Sequence, residues 1–100
     1  MAIARRLLAE ALGSLFLSGV VIGSGILAVD VSAGNDGVSL IGNTAATGAI
    51  LWVLVAVLGP VSGAHFNPAV TLAFALRKEI SPCMGLAYVA MQLAGCVAGA

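Results

Sequence analysis

Three uninterrupted apolar stretches constrain this 100-residue chain more than anything else in it. Leu7–Val29 carries one charge, Glu10, while Leu40–Val61 and Pro82–Ala100 carry none. Each is roughly 20 residues long, the length that crosses a hydrocarbon core of about 30 Å as an α-helix. A fourth apolar piece, Phe66–Leu76, would make a helix of only about 16 Å, half that thickness. Beside three full spans it reads as a re-entrant or interfacial helix. Only 8% of the residues are charged and 61% are hydrophobic, too few polar groups to clothe a soluble domain of this size. The chain is also too apolar to stay disordered. Four Lys/Arg balance four Asp/Glu, which excludes a basic face for nucleic acid. The expected fold is an all-α membrane protein of three transmembrane helices plus one re-entrant half-helix.

The charges orient this set. Arg5 and Arg6 precede the first span, Arg77 and Lys78 follow the short helix, and the connector Asp30–Ser39 has no Lys or Arg. The positive-inside rule then puts the N-terminus and the Val61–Ser81 segment in the cytoplasm, with Asp30–Ser39 outside. A cleaved signal peptide ending at Val31-Ser32-Ala33 is the rival reading. Signal h-regions run about 7–15 residues, and this apolar run is longer and contains Glu10. For Glu10 itself two readings stand: a carboxylate near the cytoplasmic interface beside Arg6, or one buried against backbone amides.

Lipid offers no hydrophobic drive for helices to associate, so close packing through small residues has to supply it. Gly19–Gly23 and Gly95–Gly99 each place two glycines four apart on one helix face, with Gly13, Gly42, Gly48, Ala9 and Ala45 as further small residues. Asn43, Thr44, Thr47 and Gln92 are candidates for an interior face, either bonding between helices or lining a wet cavity. Cys83 and Cys96 lie about 19 Å apart on one helix and cannot pair with each other; they read as packing residues.

The run Gly59-Pro60-Val61-Ser62-Gly63-Ala64-His65-Phe66-Asn67-Pro68-Ala69-Val70-Thr71 is the most informative segment. Its prolines and glycines are expected to break the second span and prevent helix until Asn67. Asn is a favoured N-cap and Pro fits the first helical position, so a new helix starts at Asn67-Pro68. Irregular backbone at membrane depth survives only where it is buried in protein or lines a water-filled cavity. Gly63, Ala64 and His65 therefore offer carbonyls to something polar. His65 is the chain's one histidine, and it lacks the companions that a metal site or a general base needs. No catalytic constellation, cofactor site or metal site is expected.

Ser62–Thr71 resembles the first pore loop of the aquaporin, or major intrinsic protein, family. Ala9-Glu10-Ala11-Leu12-Gly13 in the first span and Tyr88–Gly95 in the third are similar to the same family's pattern. The resemblance covers essentially the whole chain, with spans at about 7–29, 40–61 and 82–100 and the pore loop with its half-helix at 62–77. It implies the N-terminal half of a six-span passive channel for water or small neutral solutes. Asn67 would donate its amide to a passing oxygen, and Pro68 and Ala69 would stack on the second motif. Carbonyls of Gly63, Ala64 and His65 would form a ladder of acceptors, and Glu10 and Gln92 would brace the loop. Thr47 falls at an outer filter position, where water-selective members usually have Phe and glycerol facilitators often have Trp. Its lack of a ring favours glycerol, urea, ammonia or undissociated metalloid hydroxides over strict water selectivity. The resemblance further implies a complementary C-terminal half, a tetrameric homo-oligomer and a bacterial plasma membrane. No second Asn-Pro-Ala motif is present, and the end at Ala100 within an apolar helix reads as a truncation. The rival is a non-conducting fragment or small structural subunit that keeps the family's packing. A broken-helix transporter ranks below both, having no charged intramembrane coupling site beyond Glu10.

Overall fold

A computed structural model describes residues 2–100, with side chains from residue 3. Four helices follow one another: α1 Ala2–Val31, α2 Asp36–Ser62, α3 Pro68–Leu76 and α4 Pro82–Gly99. No strand occurs among the described residues. Three of the helices, α1, α2 and α4, are long and apolar enough to cross a membrane. The molecule is 47 Å along its longest axis, comparable with a bilayer of about 40–45 Å including its headgroups. The expected all-α architecture, three spans and a half-length helix, is what the chain adopts.

The starts of α2, α3 and α4 each have a local cause. The Asn35 side chain caps α2 by accepting from the Val38 amide at 3.1 Å. Ser81 caps α4 by accepting from Met84 N at 3.2 Å, with Pro82 at the first helical position. Asn67 caps α3 by accepting from Ala69 N at 2.8 Å, with Pro68 following. Ser and Asn are favoured N-caps, and in α3 and α4 the cap is followed by Pro at the first helical position.

The helices run further than hydropathy implies. α1 includes Arg5 and Arg6, and α2 begins at Asp36 rather than near Leu40. Charged end turns keep helical geometry because their heads reach water at the interface. The larger difference is at Pro60. It does not stop α2, which continues to Ser62 and ends on Gly63 in the left-handed conformation (φ 87°). Pro60 takes one hydrogen bond from the ladder. The last turn survives because Gly63 N donates to Gly59 O at 2.8 Å and Ser62 is held from outside the helix, as described below.

α1 is the central element, packed against α2 on one side and α4 on the other, while α3 rests on α4. Gly95 and Gly99 make the α1–α4 approach possible. A Cβ at Gly95 would collide with the Ala11 carbonyl oxygen, and one at Gly99 with the Leu15 carbonyl and Ser18. The Gly19–Gly23 pair divides: Gly19 faces the Gly99 carbonyl, whereas nothing lies within 4 Å of a Cβ at Gly23. Gly42 leaves ordinary contact distance to Ala28, and Gly48 faces open space. Ala9 is buried and Ala45 exposed. Large apolar side chains cover the exterior, Trp52, Ile41 and Leu86 among them, as expected where the surroundings are lipid or further protein.

All four Lys/Arg gather at one end of the bundle, where α1 starts, α2 finishes and α3 hands over to α4; Asp30 and Asp36 sit at the other. Cys83 is exposed and Cys96 half-buried, both as free thiols.

Gly95→Val should force α1 and α4 apart and lower stability by about 1–3 kcal/mol, the usual cost of overpacking. Gly23→Ala, in open space on the same helix face as Gly19, should leave the unfolding midpoint unchanged or raised. Thermal unfolding in detergent micelles compares the two.

Candidate functional site

The segment between α2 and α3 cannot hold itself. Gly63, Ala64 and Phe66 all have positive φ, at 87°, 53° and 50°. For the two residues with a Cβ that conformation costs roughly 1–2 kcal/mol each, and Phe66 is a bulky side chain in a region such residues avoid. Other parts of the chain must over-determine this backbone.

Glu10 does so. It is fully buried, and four groups converge on its carboxylate. Ser62 Oγ donates to Oε2 at 2.7 Å and His65 N to the same oxygen at 3.2 Å. Phe66 N donates to Oε1 at 3.0 Å, as does Gln92 Nε2 at 2.7 Å. A carboxylate away from water is tolerable only when its lone pairs are filled in this way. Of the two sequence readings of Glu10, burial against backbone amides is the one observed. Glu10 thus meets the loop directly, and Gln92 reaches it only through Glu10 and Thr71.

A second ring of contacts surrounds the first. Tyr88, wholly buried, donates its hydroxyl to Ser62 O at 2.7 Å and accepts from Arg6 Nε at 2.9 Å. The His65 ring stacks on Phe74, centroids 4.6 Å apart and planes 7° off parallel, and meets Tyr88 edge-on at 5.0 Å. Thr71 Oγ1 accepts from Gln92 Nε2 at 2.9 Å and lies 3.0 Å from His65 Nδ1. The Phe66 ring fills space that a Cβ at Gly13 would occupy. Two buried atoms, Ser14 Oγ and Gln92 Oε1, have no partner among the described residues. For Gln92 this follows from its orientation: turning the amide over would aim its oxygen at the Glu10 carboxylate.

These bonds sort the loop's polar groups to two sides. Ala64 N is taken by Ser62 Oγ at 3.1 Å, and His65 N and Phe66 N by Glu10. The carbonyls of Gly63, Ala64 and His65 receive no donor among the described residues. Asn67 is exposed; its Oδ1 is used in the cap, which leaves the Nδ2 amide as its donor. Pro68 and Ala69 form the exposed first turn of α3. No group of three or more potential metal ligands occurs among the described residues.

Thr47 stands apart from this cluster. It lies 15 residues before Ser62 on α2, about 22 Å along the axis. Half-buried, it donates to Asn43 Oδ1 at 3.3 Å, the oxygen that also accepts from Ser24 Oγ on α1 at 3.2 Å. Thr44 is exposed.

Ser62, Thr71 and Tyr88 complete the clamp although the sequence marks none of them strongly. Spacing is the available signal: Gly85, Tyr88, Gln92 and Gly95, the buried residues of α4, recur at three- and four-residue intervals along one face.

Three spanning helices with a short fourth helix, hung from a loop that a buried carboxylate clamps, define a polytopic helical membrane protein. The chain belongs to the major intrinsic protein family, whose model matches residues 1–100. It is 55% identical over 95 residues to a protein described as aquaglyceroporin AqpS from Rhizobium meliloti (strain 1021), covering 95% of this chain and 40% of that protein. It is 42% identical over 96 residues to the lens fiber major intrinsic protein of Gallus gallus, 96% of this chain and 35% of the relative. It is 44% identical over 92 residues to aquaporin NIP1-2 of Arabidopsis thaliana, 91% and 30% respectively. The chain therefore spans well under half the length of these curated relatives.

Glu10→Ala should strip the loop of its central acceptor. Hydrogen bonds to charged groups contribute about 1.5–3 kcal/mol each, so a loss of several kcal/mol is expected. Glu10→Gln should cost less, since one carboxamide oxygen still accepts while the NH2 confronts donors. Chemical denaturation in micelles ranks the three forms; equal stability of all three would refute the clamp.

Proposed function

We propose that this chain is the N-terminal half of a passive channel for water and small neutral solutes, with the loop from Gly63 to Asn67 as one wall of the path. The supporting observation is the two-sided loop: its N–H groups are consumed by Glu10 and Ser62, while three successive carbonyls are left without partners. A row of acceptors followed by the Asn67 amide donor can replace the hydration of a passing neutral molecule. Glu10 and Gln92 keep that row in register. Asn67 is the donor at its end, and Pro68 and Ala69 are the surface on which a second half would stack. The N-terminal end of α3 carries the positive pole of the helix dipole, which disfavours cations.

The basic end of the bundle faces the cytoplasm by the positive-inside rule, with the N-terminus inside; the membrane is a bacterial plasma membrane, in keeping with the Rhizobium meliloti relative. A complementary C-terminal half closes the other wall, and four such units assemble. Thr47 is the filter residue contributed by α2. Its small hydroxyl, together with the 55% identity to a protein called an aquaglyceroporin, favours glycerol, urea, ammonia or undissociated metalloid hydroxides alongside water. Chemical catalysis has no part in this reading.

The test is osmotic swelling of vesicles that hold the completed channel. Asn67→Asp keeps the oxygen that caps α3 but replaces the amide donor with negative charge. Water and glycerol permeability should fall about tenfold or more, equivalent to about 1.4 kcal/mol or more in barrier height. Unchanged permeability with Asn67→Asp would remove the pore assignment and favour a non-conducting membrane subunit. In a background without Cys83 and Cys96, a cysteine at Ala33 should react with impermeant reagent from outside and one at Lys78 only from inside.

A further inference from the structure

From the bond between Thr47 and Asn43 we infer that Asn43 is a positioning residue for solute choice: it turns the Thr47 hydroxyl into a fixed acceptor. The inference rests on the reading of Thr47 as a filter residue. A threonine hydroxyl has one hydrogen to donate and two lone pairs to accept with, and on a helix it rotates among staggered wells. Here the hydrogen is committed. Thr47 Oγ1 donates to Asn43 Oδ1 at 3.3 Å, one turn back on the same helix. Ser24 Oγ, whose one hydrogen is shared with Val21 O at 3.4 Å, also donates to that same oxygen from α1 at 3.2 Å, so hydroxyls of two helices meet one amide oxygen and orient the amide. On its other side the amide nitrogen sits against Gly25, where an added Cβ would come within 3.0 Å of it. Any larger residue at position 25 would press on the amide.

The consequence is directional. With its hydrogen held by Asn43, Thr47 offers a passing molecule only lone pairs. It favours neutral solutes that bring several hydrogens to donate, such as polyols, urea-like amides and undissociated hydroxides, over water, which brings two, and over molecules that only accept. The same side chain left free could donate or accept and would distinguish them less. Thr47 is half-buried, and among the described residues its hydroxyl has no bond besides the one to Asn43.

The experiment measures glycerol-to-water and urea-to-water permeability ratios in vesicles holding the completed channel, with channel amount and thermal midpoint recorded for each variant. Thr47→Val should lower both ratios about three- to tenfold, the range of one neutral hydrogen bond, and Thr47→Ser should preserve them. Asn43→Leu should lower them comparably, and the double variant should fall no further than either single one. Ser39→Ala removes a different set of hydroxyl contacts of α2, the 2.6 Å bond to Ser32 just past α1 and the 3.3 Å bond to Ala28 O on α1. It should leave the ratios in place even if the midpoint drops. If Asn43→Leu does not reach the membrane, Asn43→Ser, too short to meet Thr47, is read in its place. A drop with Thr47→Val but none at position 43 overturns the role of Asn43 and leaves the filter intact. An equal drop with Ser39→Ala shows that loosening the two helices is enough and also overturns it. Ratios unmoved by Thr47→Val overturn the filter reading, and the inference with it.

Discussion

A single buried carboxylate organises this molecule. The Glu10 oxygens accept from Ser62, from the amides of His65 and Phe66, and from Gln92, joining α1, the end of α2, the loop and α4 at one point. Among the described residues no cation pairs with it. Compensation comes instead from four hydrogen-bond donors, the arrangement that makes a desolvated charge affordable. Without it the left-handed residue Phe66 would lose the acceptor of its amide, and Ser62, which holds the Ala64 amide, would lose the partner that holds it.

Packing and polarity cooperate around that point. Gly13 gives room for the Phe66 ring, and Gly95 and Gly99 let α4 close on α1 at backbone distance, so that Gln92 reaches Glu10 and Tyr88 reaches Ser62. Tyr88 then ties Ser62 O to Arg6 at the basic end of the bundle. The same residues explain how α2 passes Pro60: its final turn is held through Ser62 by side chains of other helices, which outweighs one missing ladder bond.

Much of the architecture is legible in the sequence because a bilayer enforces it. Span length, the half-length helix and the Asn67-Pro68 start follow from hydrocarbon thickness and capping chemistry, and each is present. Helix ends are less legible, since Arg5, Arg6 and Asp36 lie in helical turns that hydropathy discounts. Pro60 misleads for a related reason, because a local breaker rule carries no information about Tyr88 and Glu10. The glycine pairs look alike in sequence, yet only one is packed at both positions; which face of α1 meets α4 is settled by the whole bundle. Glu10 is an ambiguous residue on its own, and its surroundings come from positions 62 to 92. The free carbonyls of Gly63, Ala64 and His65 follow from irregular backbone in an apolar setting, but their alignment depends on three successive amides turning inward, which no motif states.

The spacing of the clamp along the chain has a consequence for biogenesis. Glu10 finds Ser62 52 residues later and Gln92 82 residues later. At a synthesis rate of about 5–20 residues per second, the acid emerges roughly 4–16 s before its final donor exists. Until then it sits in an unfinished bundle with part of its shell missing, so the loop cannot lock as it is made. The fourth helix to be made is the one that completes the setting of the first.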